Sequence, residues 1–309
     1  MSTEGGAKAI IAAFIANVGI AIAKFIAFAV TGSSSMLSEA IHSVADSCNQ
    51  ILLMIGGRRA KRRPDDEHQF GYGRVRYVYA FVVSVVLFVI GGVYSISHGI
   101  HKIQHPEPIR DAEWAIGVLL FALVLESFSF RTAMREANTT RGGKSWLRYV
   151  RESRHPELPV VLLEDFGALI GLVFALIAIG ASIATGNGVW DGIGSVFIGT
   201  LLVVIALFLS AEVSSMLVGE SAAPEEEQQI RLALESSPVV ERVIHLRTLH
   251  VGPDDLLVAA KIAIARTDTG AEIAAAIDTA ERAIRDAVPT ATYIYLEPDL
   301  DRYRNKLPE

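Results

Sequence analysis

The chain has 309 residues, 51% hydrophobic and 20% charged, with a positive mean hydropathy, a balance richer in apolar residues than soluble domains carry and one that points to a membrane. A formal net charge of −6 argues against nucleic acid as a partner, because a nucleic-acid binder needs a basic face to neutralise phosphates. The one cysteine, Cys48, excludes an internal disulfide and any cysteine-based metal cluster, so a metal site must use histidine and carboxylate.

The first residues lack a basic region, and the apolar stretch behind them is too long for a signal-peptide core, so it reads as a first helix. A bilayer core of roughly 30 Å takes about 20 helical residues, and six segments have that length: 9–31, 34–57, 77–99, 113–134, 159–184 and 190–217. Lys24, in the first, reads as a snorkelling side chain. The second is the least hydrophobic, since it holds Glu39, His42, Asp46, Asn49 and Gln50. Asn17 and Asn49 read as polar contacts between helices, and Cys48 as a small packing residue.

Basic residues crowd two connections. Arg58, Arg59, Lys61, Arg62, Arg63, Arg74 and Arg76 lie between the second and third segments, and Arg135, Arg141, Lys144, Arg148, Arg151 and Arg154 between the fourth and fifth. These loops are therefore assigned to the cytoplasm, which puts both termini inside. With no transit peptide in view, a bacterial inner membrane is the expected location.

Residues 1–219 form the expected transmembrane transport domain, and 220–309 a cytoplasmic domain. From 222 onward the chain holds 16 Asp and Glu against 10 Lys and Arg, so the acidity belongs to the tail. Pro224 opens a helix to Glu235, apolar runs follow near 240–251 and 256–265, a helix over 270–287 buries Ile273, Ile277, Ala280 and Ile284, and a strand runs from Thr292 to Leu296. That αββαβ order suits a small sheet with helices on one face.

Ionisable groups at bilayer depth cost several kcal/mol each unless paired, hydrated or neutralised, so each is a functional candidate. His42 and Asp46 share a helix face at i, i+4, with Glu39 one turn earlier. His42 lies roughly 12 to 14 Å from the outer end of its helix, and Asp165, beside Glu164 in the fifth segment, about 9 to 12 Å from the inner end. Both sets reach the middle third. Imidazole with carboxylates suits Zn²⁺, whereas an all-oxygen set would favour Mg²⁺, Ca²⁺ or Mn²⁺. Such ligands must lose protons to bind metal, which gives a physical route to exchanging a cation for protons. Export of Mn²⁺, Fe²⁺ or Co²⁺ by the same means, or a passive cation channel, are the competing readings.

Glu126, mid-way along the fourth segment, is either a proton or ion group or a buried partner of a serine or the backbone. Asp191 reads as an N-terminal cap. The loop cluster Asp65, Asp66, Glu67 and His68 either takes a second cation or pairs with its arginines, and His245 and His250 sit in a tail hairpin beside Asp254 and Asp255.

The run SMLSEAIHSVAD from Ser35 to Asp46, the loop PDDEHQFGYG from Pro64 to Gly73 and the αββαβ tail together resemble the cation diffusion facilitator family. YVRESRHP from Tyr149, VVLLED ending at Asp165, and WDGIGS from Trp190 look like its zinc transporter 9-like branch. The resemblance implies a homodimeric Zn²⁺/H⁺ antiporter working by alternating access, no enzyme and without a prosthetic group, whose tail dimerises through a ferredoxin-like, metallochaperone-like fold. His42, Asp46 and Asp165 match its transport ligands. The remaining position falls on Val161, which cannot ligate, leaving Glu164, Glu39 or a water for the fourth place. A loop site would use Asp65 and His68, with Tyr72 replacing a third ligand, and a tail site would use His245, although its other positions are Lys261, Tyr295 and Glu297.

Overall fold

A computed structural model describes residues 3–238, 240–265 and 269–300, with side chains described from residue 17 onward. The side chains at the start of the first predicted segment lie outside that set. Helices occupy each of the six predicted stretches: α1 (Thr3–Thr31), α2 (Ser34–Ala60), α3 (Val75–Val86) continued by a π-helical stretch (Leu87–Val93) and α4 (Tyr94–Gln104), then α5 (Ala112–Arg141), α7 (Glu157–Thr185) and α8 (Val189–Val218). A short α6 (Trp146–Glu152) stands in the second basic connection, its first turn capped by Ser145, whose hydroxyl accepts from the Arg148 amide.

Among the described residues, four helices are long and apolar enough to cross a membrane: Val75–Gln104, Ala112–Arg141, Glu157–Thr185 and Val189–Val218. Asn17–Thr31 is a shorter apolar helix. Many of their large apolar side chains face outward, including Phe121, Val124, Phe128, Ile177 and Val204, a distribution that suits lipid rather than water. Cys48 also lies on an exposed face, so it does not fill the packed interior that its small size suggested.

The chain divides into two compact units, Met1–Arg59 with Val75–Ser214, and Ala60–Arg74 with Ser215–Glu309. In the first, small residues let helices approach closely, as is common where lipid gives no hydrophobic drive between helices. A Cβ on Gly99 would lie 2.7 Å from the Gly192 carbonyl oxygen, and one on Gly199 would lie 2.7 Å from the Gly92 carbonyl oxygen. The Gly91–Gly92 pair sits inside the π-helical stretch, where the widened backbone meets α8. α5 packs against both α7 and α1.

The second unit has the αββαβ order. α9 (Pro224–Glu235), β1 (Arg242–His250), β2 (Leu256–Ala263), α10 (Gly270–Ala287) and β3 (Ala291–Asp299) build a three-stranded sheet in the order β1-β2-β3, antiparallel then parallel. Ile230, Leu234, Val258, Ile262, Ala280 and Ile284 form its core. The buried stripe of α10 centres on Ala276, Ala280 and Ile284, and Ile273 and Ile277 are only half-buried at its edge. α10 begins with a reciprocal cap: the Thr269 hydroxyl accepts from the Glu272 amide, and the Glu272 carboxylate accepts from the Thr269 amide at 2.7 Å.

The loop Ala60–Arg74 belongs to this unit. Phe70 packs edge-on to Tyr293 at 5.1 Å between ring centroids, Gly73 lies against the Gly252 backbone, and the Arg74 guanidinium donates to the His250 carbonyl at 3.3 Å. Across β2 and β3, Lys261 Nζ binds Glu297 Oε1 and Asp299 Oδ2, each at 2.9 Å.

Ile284→Ala, in the centre of the tail core, should cost about 2 to 5 kcal/mol, read as a lower midpoint of the tail's unfolding transition in the full-length protein. A second outcome concerns pH. The carboxylates of Asp299 and Glu297 hold the Lys261 amine above its ordinary 10.5. A raised amine stabilises the fold fully below the unfolded value and loses that contribution as pH rises through the folded one. Lys261→Met should therefore lower the melting temperature at neutral pH, and its gap from the wild type should close only above about pH 10.5 in a melting series across alkaline pH.

Candidate functional site

The site is built on α2, a helix too polar to settle among lipids alone. Its N-terminal end is enclosed, with every residue from Ser34 to Ala40 buried. Asp191, the acid at the start of α8, caps α2 rather than its own helix. Its carboxylate accepts from the Ser33 hydroxyl at 2.7 Å and from the amides of Ser34 and Ser35, and its backbone carbonyl accepts from the Ser35 hydroxyl at 2.8 Å. A carboxylate at those free amides satisfies orphan donors and complements the helix dipole. Ser38 then meets Ser195 at 2.6 Å between hydroxyl oxygens, and Ser195 donates to the Ser95 carbonyl. The frame of α2 is thus fixed to α8 and α4.

One helical turn further along lie the predicted ligands. His42 is buried, and neither ring nitrogen has a hydrogen-bond partner among the described residues. Its Nδ1 lies 3.5 Å from Asp46 Oδ1, which is itself without a partner. Glu39 Oε1 and Asn49 Oδ1 complete a run of buried, unsatisfied polar atoms along this one helix. Native structures satisfy the large majority of such atoms, so this group makes α2 the candidate for a binding site.

The opposite wall is α7 and α5. Asn49 Nδ2 donates to Glu164 Oε1 at 2.6 Å, and Ser129 donates to Asp165 Oδ2 at 3.0 Å. Asp46 lies within electrostatic reach of Glu164, Glu126, Asp165 and Lys24, so residues from α1, α2, α5 and α7 share one charged neighbourhood. Among the described residues, no three His, Cys, Asp or Glu side chains converge closely enough to hold a metal ion. The reason lies in those partners: Glu164 is turned to Asn49, seven residues beyond His42, and Asp165 to Ser129.

Lys24 does not snorkel. It is fully buried, and its Nζ binds Glu39 Oε2 at 3.0 Å and Ser43 Oγ at 2.8 Å. Glu39, fully buried as well, is therefore engaged by a lysine of the neighbouring helix. Glu126 is buried on α5 and acts electrostatically on both Asp165 and Glu39. Sequence reasoning missed Ser129 and the Lys24 partnership, since neither a lone serine nor a lysine 15 residues from its partner gives a periodic signal. Asn49, read as a helix contact, makes that contact to a candidate ligand.

The two peripheral candidates are already occupied by protein groups. In the loop, Asp65 accepts from the Tyr72 hydroxyl at 2.6 Å and the His68 amide at 2.8 Å, His68 Nδ1 stands 3.6 Å from Asp65, and the His68 and Tyr72 rings lie 4.4 Å apart. The Arg62 guanidinium covers Tyr72 at 4.5 Å and approaches Asp65 at 3.8 Å. The Tyr72 hydroxyl is the main reason that the Asp65 carboxyl sits below its ordinary value. In the tail, His245 is exposed on β1 opposite Lys261, a cation already bound to Glu297 and Asp299.

Comparison with known proteins places the chain in a family. Residues 10–218 match the cation efflux transmembrane domain, and residues 222–299 match the cation efflux protein cytoplasmic domain. The chain is 36% identical over 81% of its length to the proton-coupled zinc antiporter SLC30A9, mitochondrial, of Homo sapiens, covering 44% of that protein. It is 27% identical over 82% to metal tolerance protein C4 of Arabidopsis thaliana, covering 56% of it, and 26% identical over 72% to the magnetosome protein MamM of Magnetospirillum gryphiswaldense, covering 66% of it. The chain thus spans about half the length of the human and plant relatives. With both domains matched in order, it belongs to the cation efflux family, the cation diffusion facilitators, which are multi-pass membrane transporters and not enzymes.

Proposed function

We propose that the protein exports Zn²⁺ in exchange for protons, with His42, Asp46 and Asp165 as cargo ligands and Glu164 in the fourth position. The observation that carries this reading is the buried, unsatisfied pair of His42 and Asp46 atoms facing the acids of α7. One imidazole with carboxylates suits a borderline-soft divalent cation. Arrival of the ion would draw Glu164 from Asn49 and Asp165 from Ser129, and departure would return them. Because the same atoms take either a metal or protons, uptake of one drives release of the other. The human relative, a proton-coupled zinc antiporter, supports the choice of cargo and coupling.

In this reading α1, α2, the α3 to α4 helix, α5, α7 and α8 are six spans with both termini in the cytoplasm, residues 1–219 transport, and residues 220–309 join two copies in a homodimer. The cytoplasmic-domain match supports the last point. The tail acts through that dimer more than through metal, since Lys261 already pairs with Glu297 and Asp299. Mn²⁺, Fe²⁺ and Co²⁺ are the competing cargoes.

The test uses purified protein in vesicles with a trapped pH dye. Added Zn²⁺ should alkalinise the lumen, Asp46→Ala and Asp165→Ala should each abolish that response, and His245→Ala should leave it largely intact. Normal flux in either aspartate variant would sink the site assignment. Asn49→Leu, which removes the donor that parks Glu164, should change Zn²⁺ affinity on the order of tenfold, as outer partners of metal ligands do, measured by calorimetry.

A further inference from the structure

Two ionisable side chains face each other inside the helical unit beside the proposed ligands. Lys24 of α1 and Glu39 of α2 are both fully buried and lie 3.0 Å apart. Removing an ion from water costs several kcal/mol even after relaxation, and attraction to a partner offsets this only with good geometry. The geometry here is built: the ammonium has a second acceptor in Ser43, the neighbour of His42. The Glu39 carboxylate rests on α7, where Oε1 fills the space that a Cβ at Gly171 would take. One lysine thereby holds one glutamate against three helices.

Glu39 stands one turn from His42 on the same face of α2. Its Oε1 is among the unsatisfied buried atoms, so a released Glu39 could swing toward a cation at His42 and Asp46. Lys24 also acts electrostatically on His42, Asp46 and Glu126.

We propose that Lys24 is a positioning residue that sets metal selectivity by holding Glu39 out of the cargo's ligand sphere. The inference rests on the transport reading above and adds the class of cation admitted. With Glu39 held, the sphere keeps its imidazole and few carboxylates and favours zinc. With Glu39 free, another oxygen donor enters and moves preference toward a harder ion such as Mn²⁺.

Lys24→Met, Lys24→Met/Glu39→Gln and the wild type are compared in Zn²⁺ and Mn²⁺ binding by calorimetry on purified full-length protein, and in vesicle flux. Lys24→Met should raise Mn²⁺ affinity relative to Zn²⁺ on the order of tenfold and lower both KM and kcat for Zn²⁺, because tighter holding slows release. The double variant should return the Zn²⁺ to Mn²⁺ ratio close to the wild-type value. A merely structural pair would lower activity without moving that ratio. An unchanged ratio in Lys24→Met, or a shifted ratio that persists in the double variant, overturns the proposal. If Lys24→Met does not fold, Lys24→Gln, which removes the ammonium and keeps a hydrogen-bond donor, takes its place beside the double variant: a ratio shifted toward Mn²⁺ supports the proposal and an unchanged ratio overturns it. Absence of Zn²⁺-driven proton flux in the wild type would instead refute the transport reading, and the binding ratios would still judge Lys24.

Discussion

A charge inside a lipid-embedded helical unit must be met by another charge, by hydrogen bonds or by a ligand, because the surroundings provide no water to do so. Most of the first unit can be understood from how it meets that demand. Asp191 is met by the amides and hydroxyls at the start of α2, Lys24 and Glu39 meet each other, Glu164 is met by Asn49, and Asp165 by Ser129. His42 and one oxygen each of Asp46, Glu39 and Asn49 are left over on α2. That remainder is what supports the proposed cation site.

The architecture follows from keeping a polar helix inside. α2 can cross only if its neighbours cover it, so its first turns are capped by α8 and bonded to α4 through Ser38, Ser195 and Ser95. Glycine contacts between the α3 to α4 helix and α8 bring those two close enough to serve. Further along, α2 ends in arginines and passes into a loop that is part of the tail's compact unit. The segment carrying Asp65 and His68 is thereby held by the tail through Phe70 and Tyr293.

Much of this was legible in the sequence because hydrophobic length and helical spacing survive into the fold. The six helical stretches and the αββαβ order follow from local patterns that tertiary contacts reinforce. Partnerships were less legible. Lys24 looked like a snorkelling residue because nothing in its own helix reveals a glutamate on the next. Asp191 announced a cap, and only the structure tells whose. The π-helical stretch around Gly91 and Gly92, which lies against α8, leaves no periodic signature of its own. Val161 signalled an altered ligand set, while the hydrogen bond from Asn49 to Glu164, which bears on the fourth position, joins residues 115 apart.

The central claim is that one set of atoms holds either a divalent cation or protons, so each gradient must be able to drive the other. The most direct measurement imposes an acidic lumen on vesicles containing the wild-type protein, with equal Zn²⁺ on both sides, and follows lumenal Zn²⁺. The account predicts accumulation against the zinc gradient that collapses when a protonophore dissipates the pH difference. Zinc that merely equilibrates, at a rate and to a level indifferent to the pH gradient, would contradict it.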